Sequence, residues 1–165
     1  MMSVDYIFVM AMWVSGLMAY MFLTPKKQYR KLLFSLLTCQ ALLWVNSLVH
    51  VEFNLLAFPV REFPKATDLL ITTEYFFYPL LCGFYIAYEP KHSFKIRLIY
   101  LSVWISFLTV YDVILVKYTN LVEYVHYAWY FTWIDFFFIF AVTNSIYQWF
   151  FKNKELFRIE QEAVE

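Results

Sequence analysis

Three carboxylates, Glu74, Asp112 and Asp135, lie inside apolar runs of this chain. An ionised side chain at membrane depth is costly, so such groups turn inward and find partners. Carboxylates placed that way can fasten helices together, bind a proton or a cation, or serve as general acids, because burial favours the protonated form. Further polar groups fall near them. His50 and Glu52 close the second apolar run, and Asn46 lies one helical turn before His50 on the same face. Tyr78 lies one turn after Glu74, and Arg61 stands in the polar stretch that precedes it. Arg61 is expected to reach one of the three acids from above as a bidentate partner.

No catalytic template is spelled out around these residues. The chain has no G-x-S-x-G, no H-E-x-x-H, no paired C-x-x-C and no glycine-rich phosphate loop. The H-x-E at 50–52 is weak evidence for a metal. No catalytic residue, metal or cofactor is therefore assigned.

The elements that must position these groups follow from composition. Of the 165 residues, 62% are hydrophobic, 24% aromatic and 16% charged. A chain of this size cannot hide so much apolar surface from water, and lipid must cover the excess. A crossing helix needs about 20 mostly apolar residues. Five segments meet that length: 4–23, 32–51, 69–88, 98–116 and 130–151. The expected fold is an all-α polytopic membrane bundle of five transmembrane helices, a single domain with a tail at 152–165.

Ten of the thirteen Lys and Arg fall in the first loop, the third loop and the tail. By the positive-inside rule those parts face the cytoplasm and the N-terminus lies outside. At a rise of about 1.5 Å per residue, Glu74 lies about 8 Å below the outer start of its helix. Asp112 lies about 6 Å below the outer end of its own, and Asp135 about 8 Å below its start. Three helices of alternating direction thus bring a carboxylate to one layer beneath the outer face. Pro79 cannot donate to the carbonyl of Tyr75, so a kink or bulge is expected one turn below Glu74. The apolar stretch 55–60 of the outer loop is expected to dip back toward the membrane. Cys39 and Cys82 sit mid-span and are not expected to pair.

The stretches FPVREFPKAT, TEYFFYP, KYTN and WYFTW, in this order over roughly residues 52–151, resemble a family of small multispanning membrane proteins of spore-forming Firmicutes. The positions that match its pattern are Pro59, Arg61, Pro64, Glu74, Tyr75, Tyr78, Pro79, Tyr118, Trp129, Tyr130 and Trp133. Where that family usually carries Glu in the fourth span, this chain has Asp112, one methylene shorter. The resemblance implies a bacterial plasma membrane or the spore inner membrane and implies no mechanism. The expected partners are the lipid bilayer and a membrane protein or a second copy of the chain. A net charge of zero gives no electrostatic case for nucleic acid. Three readings of the acidic layer stay open: a structural or partner-binding role, binding or transport of a proton, small cation or amphiphile, and a membrane-embedded enzyme.

Overall fold

The computed structural model describes residues 4–24, 29–90 and 93–162, with side chains as far as residue 151. Lys26, Lys27 and Lys91, which enter the charge argument above, lie outside the described residues, as does the end of the tail from 163. The chain is mostly helical. Among the described residues, four helices are long and apolar enough to cross a membrane: α1 (Val4–Leu23), α2 (Tyr29–Glu52), α4 (Phe94–Tyr118) and the Trp129–Phe151 part of α5 (Trp129–Glu162). The last continues as helix to Glu162 without a break, so residues 152–162 extend the final helix.

The segment expected at 69–88 is built differently. Its helix begins at Thr72, runs as a π-helix to Phe77 and continues as α3 (Tyr78–Ala87). The N–H of Tyr78 bonds back to the carbonyl of Thr73, the five-residue step of a π turn. Pro79 follows at once, in the first turn of α3, where a missing N–H is tolerated. The irregularity expected at the proline is thus a widened turn that contains Glu74. Such widened turns concentrate at functional sites. This composite helix is shorter than the other four and is shielded by them. Tyr78, Pro79, Leu80, Cys82, Gly83, Phe84, Tyr85 and Ile86 are all buried.

α2 packs most closely on α3. At Gly83 an added Cβ would stand 3.2 Å from the Leu32 carbonyl oxygen, a tight contact that glycine avoids. α1 lies against the π-helical segment. Trp13 stacks on Phe76 with ring centroids 4.2 Å apart and donates its indole N–H to Thr72 Oγ1 at 2.8 Å. The rest of α1 turns outward, and only Asp5, Met12 and Gly16 are buried. The central core joins Cys39 and Leu43 of α2, Tyr78, Cys82 and Tyr85 of α3, Ile105 and Leu108 of α4, and Phe136 and Phe140 of α5. Both cysteines are buried and free.

One end of the bundle carries a lid made from two loops. β1 (Leu56–Ala57) pairs antiparallel with β2 (Glu123–Tyr124), in the register Leu56 with Tyr124 and Ala57 with Glu123. Val60 N–H donates to Asn120 O, and Val125 and His126 N–H both donate to Leu55 O. Asn54 turns the chain into the first strand with φ 53°, a left-handed conformation that Asn tolerates. Phe58, Leu69, Leu70, Leu121 and Val122 bury themselves beneath this ribbon, together with Met12 and Leu115. Of the apolar 55–60 stretch, Phe58 is buried in the bundle end and Pro59 beside it is exposed.

Candidate functional site: an acidic chamber under the lid

Beneath the lid lies a cavity of about 40 Å³. Glu74, Asp112 and Asp135 all line it, with Asn46, Ser47, Tyr78, Tyr127 and Thr132, and with an apolar rim that includes Leu56, Phe58 and Val122. Three helices thus deliver their carboxylates to one small space. One water needs about 10–15 Å³ of such volume, so the chamber has room for two or three.

Asp112 is 6% exposed and has both oxygens occupied. Tyr78 donates to Oδ1 at 2.7 Å, and Tyr124 donates to Oδ2. A phenol has one proton, so the 2.7 Å contact between Tyr124 and Thr132 Oγ1 is donated by the threonine. The chain Thr132 to Tyr124 to Asp112 is thereby fixed in direction, with Tyr78 donating from the other side. Burial first, and then the charge of Asp112, push the Tyr124 phenol above its usual range, so it stays a donor.

Asp135 is bound differently. Tyr127 donates to its Oδ2, and His50 Nε2 stands 3.1 Å from the same oxygen. The other ring nitrogen, Nδ1, lies 2.7 Å from the Asn46 carbonyl, which can only accept. Nδ1 therefore carries hydrogen, and the Nε2–Asp135 contact must hold a second proton shared between imidazole and carboxyl. Burial and the bond to Asp135 raise the Tyr127 phenol in the same way as Tyr124.

Glu74 is the least satisfied of the three. It is 5% exposed and accepts one strong hydrogen bond, from Ser47 Oγ to Oε2 at 2.6 Å. Its Oε1 has only Thr73 at 3.5 Å, and that hydroxyl has Leu70 O nearer at 3.2 Å. Among the described residues no Lys, Arg or His forms an ion pair with Glu74.

Two of the expected site residues belong elsewhere. Arg61 does not cap the acids. It pairs with Asp68 within the same loop. The lid is fastened instead by its neighbour Glu62, which accepts from the N–H groups of Ile71 and Thr72, both at 3.0 Å, and from the Thr72 hydroxyl. The start of a helix exposes unpaired N–H donors and a positive dipole end, which a carboxylate satisfies and a guanidinium cannot. The chamber acids, in turn, already have hydroxyl or imidazole donors. Glu52 is exposed at the end of α2 and does not line the chamber. His50 and Asn46 do belong to it, the first through Asp135 and the second through its carbonyl and as part of the wall.

Ser47, Tyr124, Tyr127, Thr132 and Glu62 complete the site and were not singled out from the sequence. The aromatic cluster at 124–130 reads as an interfacial anchor, which hides two phenols that point inward. Ser47 adjoins Asn46, and the i, i+4, i+8 line Cys39, Leu43, Ser47 picks it out as the buried face of α2. No protein-family model, curated protein or solved structure matches this chain.

Proposed function

We propose that this chain is a five-span integral membrane protein whose acidic chamber, on the outer side, takes up and releases a proton at Glu74. The observation that carries this reading is the state of Glu74. It is a buried carboxyl with one strong donor, no ion pair to a Lys, Arg or His among the described residues, and an open edge on a chamber sized for two or three waters. The His50–Asp135 pair, with side chains 12% and 28% exposed, already holds a proton at the rim. Waters between this pair and Glu74 would give a short route for exchange.

The composite helix Thr72–Ala87 counts as the fifth span. It starts beside the lid, and Tyr88, which ends it, donates to Leu23 O at the end of α1 farther from the lid. The positive-inside rule favours the lid outside and the end of the final helix, beyond residue 151, in the cytoplasm. The family resemblance favours a bacterial plasma membrane or the spore inner membrane.

Infrared spectroscopy of the purified protein tests the chamber. A carboxylic-acid carbonyl band that titrates with pH is expected in the wild type and should vanish in Glu74→Gln. If no such band titrates, or if it survives that substitution, the proton reading falls. In proteoliposomes, Glu74→Gln should abolish any proton flux the wild type shows. For topology, a cysteine at Lys65 should label from outside intact cells and one at Lys27 should not. The opposite pattern would invert the orientation.

A further inference from the structure

Most polar side chains that the spans carry are used inside the fold. Ser35, Thr38, Thr109 and Thr143 donate to carbonyls of their own helices. At the end of the bundle away from the lid, Glu89 accepts from Arg97 Nε at 3.1 Å, from Arg97 Nη2 at 3.2 Å and from Asn144 at 2.7 Å. Gln148 donates to Asn144 Oδ1 at 3.1 Å. Gln40 of α2 is different. Among the described residues its amide has no hydrogen-bond partner, and neither does the indole N–H of Trp44, one turn along α2, or the phenol of Tyr75. All three open on one groove of about 410 Å³ at the outside of the bundle, with Leu37 and Ala41.

Depth makes this arrangement costly. Gln40 stands eleven residues from Tyr29 and twelve from Glu52, the two ends of α2. At about 1.5 Å per residue it is about 16 Å from one end and about 18 Å from the other. The hydrocarbon layer is about 30 Å thick, so neither bulk water nor a lipid headgroup reaches the amide. An acyl chain has no polar atom to offer it. Polar side chains at that depth turn to another helix.

The chemistry of the groove favours a second copy of the chain as the source of that helix. Two copies inserted the same way hold each residue at one depth, so Gln40 meets an amide at its own level with no further component. A primary amide both donates and accepts, so two of them bond to each other about a two-fold axis. Each amide oxygen accepts twice, which leaves room for a Trp44 or Tyr75 donor. The surface around them suits close approach. Leu37, Ala41, Trp44 and Leu48 form an exposed stripe at i, i+4, i+7 and i+11 on α2, turned away from its buried Cys39, Leu43 and Ser47. Ala41, within that stripe, is small enough to let two backbones close on each other.

We infer that this groove is the interface of a homodimer in which two α2 helices pack in parallel, with Ala41 facing Ala41 and the Gln40 amides hydrogen-bonded across the two-fold axis. The interface rests on the placement of α2 in the membrane and not on the chamber's chemistry, so either can fail without the other.

Energy transfer between donor- and acceptor-labelled full chains in phosphatidylcholine vesicles tests it. The wild type should associate as dimers. Gln40→Leu, which lipid accepts, should weaken association by about 3- to 20-fold, as expected of hydrogen bonds between membrane helices. Val103→Leu, on the exposed face of α4, should leave it unchanged. Oxidation of Ala41→Cys with copper phenanthroline should give a disulfide-linked dimer, and Val103→Cys should give none. The native Cys39 and Cys82 are buried and stay out of the reaction. If Gln40→Leu does not fold, the cross-linking pair decides alone. A wild type that stays monomeric, association unmoved by Gln40→Leu, or Val103→Cys cross-linking as well as Ala41→Cys, would each overturn the proposal.

Discussion

The two polar clusters of this protein use the same helices and solve the same problem in opposite ways. At the far end, one carboxylate, Glu89, is matched by one guanidinium, Arg97, with amide and phenol groups completing the shell. Under the lid, three carboxylates meet hydroxyl donors and a single imidazole. An opposite charge locks a carboxylate in its ionised form. A hydroxyl can serve a carboxylate or, by turning, a carboxylic acid. The contrast teaches that the far cluster is built to hold a geometry and the chamber to tolerate a change of proton number.

Substitutions can break or sharpen that contrast. The largest effect is expected from Asp112→Ala, which strands the buried donors of Tyr78 and Tyr124. At about 1–3 kcal/mol for each orphaned group, a loss of about 3 kcal/mol in unfolding free energy in micelles is expected. A loss below about 1 kcal/mol would show that water in the chamber takes over the hydrogen bonds of the phenols.

Next comes Arg97→Ala. Removing one partner of a buried pair costs about 3–5 kcal/mol. Glu89 keeps Asn144, and the Arg97 side chain is 31% exposed, so about 2 kcal/mol is expected. Adding Glu89→Gln should restore most of it. Failure of that rescue would mean that the pair is not charge-locked.

In the lid, Glu62→Ala removes the carboxylate at the start of the composite helix and should cost about 1 kcal/mol. Arg61→Ala breaks only a pair with exposed Asp68 and should cost less than about 0.5 kcal/mol. The reverse order would return Arg61 to the role its sequence position suggests. Smallest in stability is Glu74→Gln. The amide still accepts from Ser47 and leaves no unpaired cation, so about 0.5 kcal/mol or less is expected. A large loss would show that Glu74 is a structural anion.

The convergence of Glu74, Asp112 and Asp135 was legible because helical rise is a ruler. Sequence number converts to depth along any straight helix, whatever its neighbours. The bulge at Pro79 was legible for a similarly local reason, a missing N–H. The donors were not. Tyr124 and Tyr127 sit in a loop whose path is set by pairing with Leu56 and Ala57, about 70 residues away in sequence. Glu89 was not legible either, although it continues the face Glu74, Tyr78, Cys82, Tyr85, because the basic loop around it makes it read as solvent-exposed charge.

By itself, then, the sequence determined the apolar segments, the polarity of the loops and the depth of the acids. Each depends on a property summed along the chain: transfer to lipid, charge bias or rise per residue. Tertiary structure alone decided that Glu62 and not Arg61 fastens the lid, that phenols and not a guanidinium serve the chamber, and that Glu74 is left with an open edge. Those outcomes depend on helix rotation and on which loops pair, and both are set by packing across the bundle.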